Sequence, residues 1–228
     1  MYENYKQEVI NAGIKLDKYG LIALSGGNIT WRMNENHLLI TPSGMIYEDM
    51  STDDVLVIDN EGNVIEGNRK MSVDSRALLY ILNNRKDLGC VIHTHQPYAT
   101  GVGLVCDELP CNLTTLANAA HGAVKVVPYV SAACEQMGID AINYLGDQLA
   151  VILKHHGVIG VGKDLNQALR SVVYLEEAAK TYSIAYAMDK NVPVLSDDQV
   201  NRAVRIFDYY GQGTDELPED LRWWDTLY

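Results

Sequence analysis

"VIHTHQPYAT", residues 91–100, sets two histidines one residue apart at the close of an apolar run. Side chains alternate along a strand, so as strand residues His93 and His95 share one face and Thr94 takes the other. Their Cα atoms are then roughly 6–7 Å apart, a spacing at which two imidazoles can share one metal ion. Pro97 follows at a position that favours the first turn of a helix. The stretch therefore reads as a buried strand that ends in polar chemistry and hands over to a helix. Alone, H-x-H fits equally well two histidines satisfied by hydrogen bonds at a strand end.

The flanks repeat that alternation of elements. Residues 3–18 carry Val9, Ile10, Ile14 and Leu16 at helical spacing, and "LSGGNITWR" breaks the pattern. "HLLIT" and "DVLVID" read as short strands, with "DNEGN" a hairpin turn. "VDSRALLYILNNR" reads as a helix, "AVKVVPY" as a strand and "ACEQMGIDAINYLG" as a helix. "LAVILKHHGVIGVG" is one strand or a bent pair. A long amphipathic helix follows Asp164, a good N-cap, and "SDDQVNRAVRIFDYY" forms a further one. Interleaved strands and helices indicate a layered α/β domain; strand order and direction stay open. No repeat or linker divides the chain, so residues 1–212 are expected to form one domain. Residues 213–228 form an acidic tail whose two tryptophans are expected to dock on something.

Composition narrows the functions. The 228 residues hold 18 Lys and Arg against 30 Asp and Glu, a formal charge of −12 that disfavours nucleic acid. No apolar run approaches the ~20 residues that span a bilayer, so no membrane partner is expected. The N-terminus lacks the basic-then-apolar run of a signal peptide. Cys90, Cys106, Cys111 and Cys134 show no C-x-x-C spacing and read as reduced thiols of a cytoplasmic protein. An anionic small substrate remains open if the site supplies positive charge or N–H groups.

Four further motifs could build such a site. "KHHG", residues 154–157, ends another apolar run in two histidines and a glycine, so a three-nitrogen metal site is plausible. In "KMSVDSRALLY" a helix cap accounts for Ser72 or Asp74 but not for both. "SGGN" (25–28) and "TPSG" (41–44) are hydroxyl-and-glycine turns suited to phosphate. His37 and His121 read as ordinary surface or loop histidines.

In order, "SGGNIT", "TPSG", "MSVDS", "HTH" and "HHG" resemble the class II aldolase/adducin family, which includes L-fuculose-1-phosphate aldolase and L-ribulose-5-phosphate 4-epimerase. The resemblance runs from the first helix to "YYGQ" (209–212). It implies a three-layer α/β/α domain with a central, largely antiparallel sheet, assembled as a homotetramer with active sites between subunits. It implies a divalent metal held by His93, His95 and His156, usually zinc; manganese or cobalt also suits such ligands. Asn28, Ser43, Gly44, Ser72 and Val73 fall at positions that bind the phosphate or sugar oxygens, with Val73 replacing a serine of the family's pair. Asp74 matches the family's carboxylate, Glu in many aldolases and Asp in the epimerases. Tyr210 matches a tyrosine that transfers protons. Asn118 falls where the epimerases carry an acidic acid/base group.

What the resemblance implies is a metal-dependent sugar-phosphate aldolase. Such an enzyme breaks a C–C bond of a short ketose phosphate through a metal-stabilised enediolate, releasing dihydroxyacetone phosphate or a similar fragment and an aldehyde. Thr41, where the well-known epimerase has Lys, and Asn118 favour that reading. Asp74 and "YYGQ" favour the 4-epimerase, which uses the same retro-aldol step. A phosphorylated sugar-acid decarboxylase and a non-catalytic adducin-like interaction domain are the remaining readings.

Overall fold

The computed structural model describes residues 1–211 and 216–222. Its strands are β1 (Asn28–Arg32), β2 (Leu38–Ile40), β3 (Leu56–Ile58), β4 (Val64–Glu66), β5 (Cys90–Thr94), β6 (Glu108–Leu109), β7 (Val124–Val127), β8 (Ala150–Leu153) and β9 (Gly157–Gly162). They form one sheet in the order β4-β3-β2-β1-β5-β9-β8-β7-β6. Every neighbouring pair is antiparallel except β7 with β8. The 91–100 stretch thus lies at the centre, its strand β5 flanked by β1 and β9.

Both faces of the central strands are apolar, because helices cover both. Cys90 and Ile92 of β5, Ile152 of β8 and Val158 of β9 join one core with residues of α1 (Glu3–Lys18), α3 (Pro97–Val105), α4 (Thr114–Ala120) and α6 (Leu165–Met188). Val91, Val151, Ile159 and Val161 alternate onto the other face. There they meet Leu78 and Ile81 of α2 (Ser75–Asn84) and Met137 and Ala141 of α5 (Glu135–Leu145). The result is the expected three-layer α/β/α arrangement around a largely antiparallel sheet. Each fully buried Leu or Ile in these cores contributes about 1.5–3 kcal/mol relative to exposure.

Local chemistry sets the element ends. Asp59 Oδ1 accepts from the N–H groups of Glu61 and Asn63 at 3.0 and 2.8 Å, which closes the β3–β4 hairpin at "DNEGN". Asp164 Oδ1 accepts from Gln167 N at 2.8 Å and caps α6. Ser196 and Gln199 form a capping box on α7 (Asp197–Phe207), which packs against α4. The long His-containing run resolves into the hairpin β8–β9. Three elements had no clear sequence signal: β1, hidden behind the paired glycines, and the short β6 and α4. A four-residue helix, α8, spans Glu219–Arg222. Gln212, where the expected domain ends, and the tail's two tryptophans, 223 and 224, lie outside the described residues.

Candidate active site

The antiparallel register of β5 and β9 sets Thr94 opposite Val158, and that of β8 and β9 sets Leu153 opposite Gly157. The turn between β8 and β9 therefore lies beside the end of β5 and delivers His156 to His93 and His95. Only glycine fits at 157, since a Cβ there would lie 2.1 Å from Thr94 O. His155, at φ 63°, occupies the left-handed region within the turn and sets its ring edge-on to Tyr129. It is a neighbour of the site, as the resemblance implies.

His93 is fully buried and its Nδ1–H donates to Val158 O at 2.8 Å. With the proton fixed there, Nε2 of the neutral ring carries the free lone pair. That Nε2 lies 3.0 Å from His95 Nε2, and one ligand atom from each of His93, His95 and His156 lies within 4.8 Å of the others. Ligands of a tetrahedral zinc at 2.0–2.1 Å are about 3.3 Å apart, so small side-chain adjustments would bring these three nitrogens onto one ion. Burial, then the neighbouring His156 and His95, push His93 down to about 3. Burial and His156 likewise lower His95. Both rings are thus neutral near pH 7, the form that ligates metal.

Asp74 stands at the N-cap of α2, yet its side chain makes no cap hydrogen bond. Instead Oδ1 accepts from Ala133 N at 3.0 Å, and Oδ2 faces His93 Nε2 at 3.8 Å. Because His93 is neutral, this is no ion pair; both groups face one common point. Ser72 does not cap the helix either. Its Oγ accepts from Asn28 Nδ2 at 2.8 Å, and Asn28 pairs with His93 across the β1–β5 ladder. Asn28 Oδ1 is buried with no partner among the described residues, a polar atom that a ligand would satisfy. The capping account of "MSVDS" thus fails for both residues.

Pro42 bridges to Met71, and Ser43 N–H donates to Lys70 O at 2.8 Å. The "TPSG" turn is thereby tied to the segment that leads into Ser72. Gly44 is exposed, with φ +72°, and Val73 is 55% exposed. Asn28, Ser43, Gly44, Ser72, Val73 and Asp74 therefore belong to one neighbourhood with the imidazoles.

Asn118 and Tyr210 do not. They line a cleft of about 360 Å³ with His121, Lys163, Arg170 and Asp208. Lys163 directly follows β9, at the end opposite Gly157. β9 is six residues long, so roughly 15–20 Å separates the two places at the usual strand rise. Tyr210 is 70% exposed and stacks on Phe207. Asn118 Oδ1 is buried without a partner among the described residues. Sequence reading passed over two residues here. His121, three positions after Asn118, lines the same cleft at φ 64°, and burial lowers its pKa; the i, i+3 spacing on α4 was its only signal. Ala133 acts through its backbone, which leaves no mark in the sequence.

Comparison with known proteins agrees with the geometry. Residues 7–183 match the family described as "Class II Aldolase and Adducin N-terminal domain". The 5-deoxy-D-ribulose 1-phosphate aldolase of Bacillus thuringiensis serovar kurstaki is 29% identical over 93% of this chain and 99% of its own. The L-ribulose-5-phosphate 4-epimerase of Salmonella paratyphi C is 30% identical over 88% of this chain and 93% of its own. An L-fuculose 1-phosphate aldolase structure superposes with a TM-score of 0.83 at 30% identity, covering 89% of this chain and 95% of that one. The chain belongs to the class II aldolase and adducin family.

Proposed function

We propose that the protein is a metal-dependent sugar-phosphate aldolase that cleaves a short ketose phosphate into dihydroxyacetone phosphate, or a similar fragment, and an aldehyde. The observation that carries this reading is the convergence of three imidazoles with Asp74 Oδ2, 3.8 Å from His93 Nε2. His93, His95 and His156 would hold the cation; zinc fits three nitrogens, and manganese or cobalt is compatible. A divalent cation there supplies Lewis-acid polarisation of the ketose carbonyl and stabilises the charge that develops as the C–C bond breaks.

The chain's own groups do the rest. Asp74 Oδ2 moves the proton at the carbon that loses or gains it. Asn28, Ser72, the Ser43 hydroxyl and the exposed backbone at Gly44 and Val73 hold phosphate and sugar oxygens. Tyr210 gives or takes the proton at the aldehyde oxygen. Since Tyr210 and Asn118 lie at the far end of β9 from the imidazoles, we infer that they serve a neighbouring subunit's site. A homotetramer in the cytoplasm with sites between subunits, the assembly that the family resemblance implies, accommodates this. Residues 1–212 act as the catalytic domain.

The second reading is the 4-epimerase, favoured by Asp74 and by the similarity to a named epimerase. It needs two proton-transferring groups around the aldehyde, and Asn118 has no proton to exchange at neutral pH. A non-catalytic interaction domain has no use for the buried, neutral His93 or the Asp74 carboxylate beside it. Phosphorus NMR of the zinc-loaded protein with L-fuculose 1-phosphate and L-ribulose 5-phosphate in separate tubes tests the reading. A dihydroxyacetone phosphate signal from the first supports the aldolase. D-xylulose 5-phosphate from the second would exchange the two readings.

A further inference from the structure

Among the described residues, five non-glycine positions have positive φ: Tyr2, Leu24, His121, Ala133 and His155. Left-handed backbone at such residues carries a local cost and tends to persist where function needs it. Two of the five lie beside groups of the candidate site: His155 precedes His156, and Ala133 donates to Asp74. Ala133 has no need of its conformation to make a helix or strand, since it sits in the loop that precedes α5. Its φ of 61° aims its N–H at Oδ1 of Asp74, 3.0 Å away.

We propose that Ala133 is a positioning residue: its backbone N–H pins Asp74 Oδ1 and leaves Oδ2 as the one atom that exchanges protons. The inference rests on the role given to Asp74 above. Three features make the pin stiff. The Cys134 thiol donates to Ser131 O at 2.9 Å across the loop. Val130 and Cys134 pack on the core beneath α2 and α5. One turn into those helices, a Cβ at Gly138 would lie 2.5 Å from Ala77 O, so α5 and α2 touch backbone to backbone. The loop and Asp74 therefore ride on one rigid unit. A carboxylate free to rotate would present either oxygen, and the geometry of proton transfer would be lost for part of the time.

Two independent arms test this on the full-length protein. In the zinc-loaded enzyme, Ala133→Gly keeps both the N–H and the conformation, whereas Ala133→Val resists positive φ. The valine variant is expected to lose about ten- to a hundred-fold in kcat, with KM and zinc content unchanged and the glycine variant close to wild type. Wild-type kcat in the valine variant, or an equal loss in both, overturns the proposal. In the second arm, hydrogen–deuterium exchange of metal-free protein is compared with Asp74→Ala. Faster exchange confined to the segment at residues 131–135 is expected, and unchanged exchange there removes the hydrogen bond on which everything rests. This arm does not depend on activity or on whether the valine variant folds. If wild type cleaves no sugar phosphate, the functional reading falls and the catalytic half of this proposal falls with it.

Discussion

At its Gly157 end β9 meets three imidazoles, of which the chain buries and ties down His93; at its Gly162 end it borders a polar cleft with an exposed tyrosine. The first place is finished within one chain. His93 is orientated by Val158 O, Asp74 by Ala133 N, and Ser72 by Asn28. The second has the acid/base residue types, Tyr210, His121 and Asp208, but no arrangement of metal ligands among the described residues. One strand thus separates the imidazoles and Asp74 from the cleft that holds Tyr210. On the function proposed above, a single chain carries two half-sites, one at each end of β9.

The largest expected effect comes from breaking the finished half. His95 is exposed, so His95→Ala should stay folded while losing bound metal and about a thousand-fold or more in activity, because the Lewis acid goes with it. Metal analysis beside circular dichroism checks this, and retained metal would remove His95 from the site. Tyr210→Phe strikes the unfinished half. It should keep metal and fold and lose roughly ten- to a hundred-fold in kcat, the lower range of general acid–base contributions and just below it.

The finished half also has a signature in acid. His93 is held near 3 in the folded chain against about 6.5 when unfolded. Below 6.5 the unfolded state therefore binds more protons, and stability falls as pH drops. Metal-free protein should have its full histidine contribution above pH 6.5 and lose it between 6.5 and 3. His95, lowered in the same direction, adds to that loss. Urea unfolding at a series of pH values measures it; a flat profile across that window would mean that His93 is not held neutral. The smallest effect lies in the cleft, where Asn118→Asp supplies a carboxylate beside Tyr210. It should raise any epimerase rate and leave metal content untouched, and no change would place residue 118 outside the proton path.

Much of the finished half could be read from residue order. The alternation in "VIHTH", the glycine after "KHH" and the surplus polar groups of "MSVDS" each mark a local geometry, and local geometry is what sequence spacing encodes. β5 and its histidines, the hairpin at Asp59 and the Asp164 cap all follow from contacts within a few residues. The sheet order does not, because the pairing of β1 with β5 joins residues 28 and 93 through long-range packing. β1 itself was masked by Gly26 and Gly27, and α4 by its shortness. The separation of Asn118 and Tyr210 from the imidazoles was equally illegible, since it depends on which end of β9 each element meets. Ala133 left no trace because a backbone N–H is common to nearly every residue.

On the proposed function, these half-sites complete one another across subunits. Co-expression of His95→Ala and Tyr210→Phe chains, each carrying a different affinity tag, tests it directly after purification of the mixed oligomer. Random assembly gives about a quarter of the sites an intact imidazole set from one subunit and an intact tyrosine from the next. Activity should therefore recover to about a quarter of wild type, well above either parent. Activity no greater than the average of the two parents would contradict the claim.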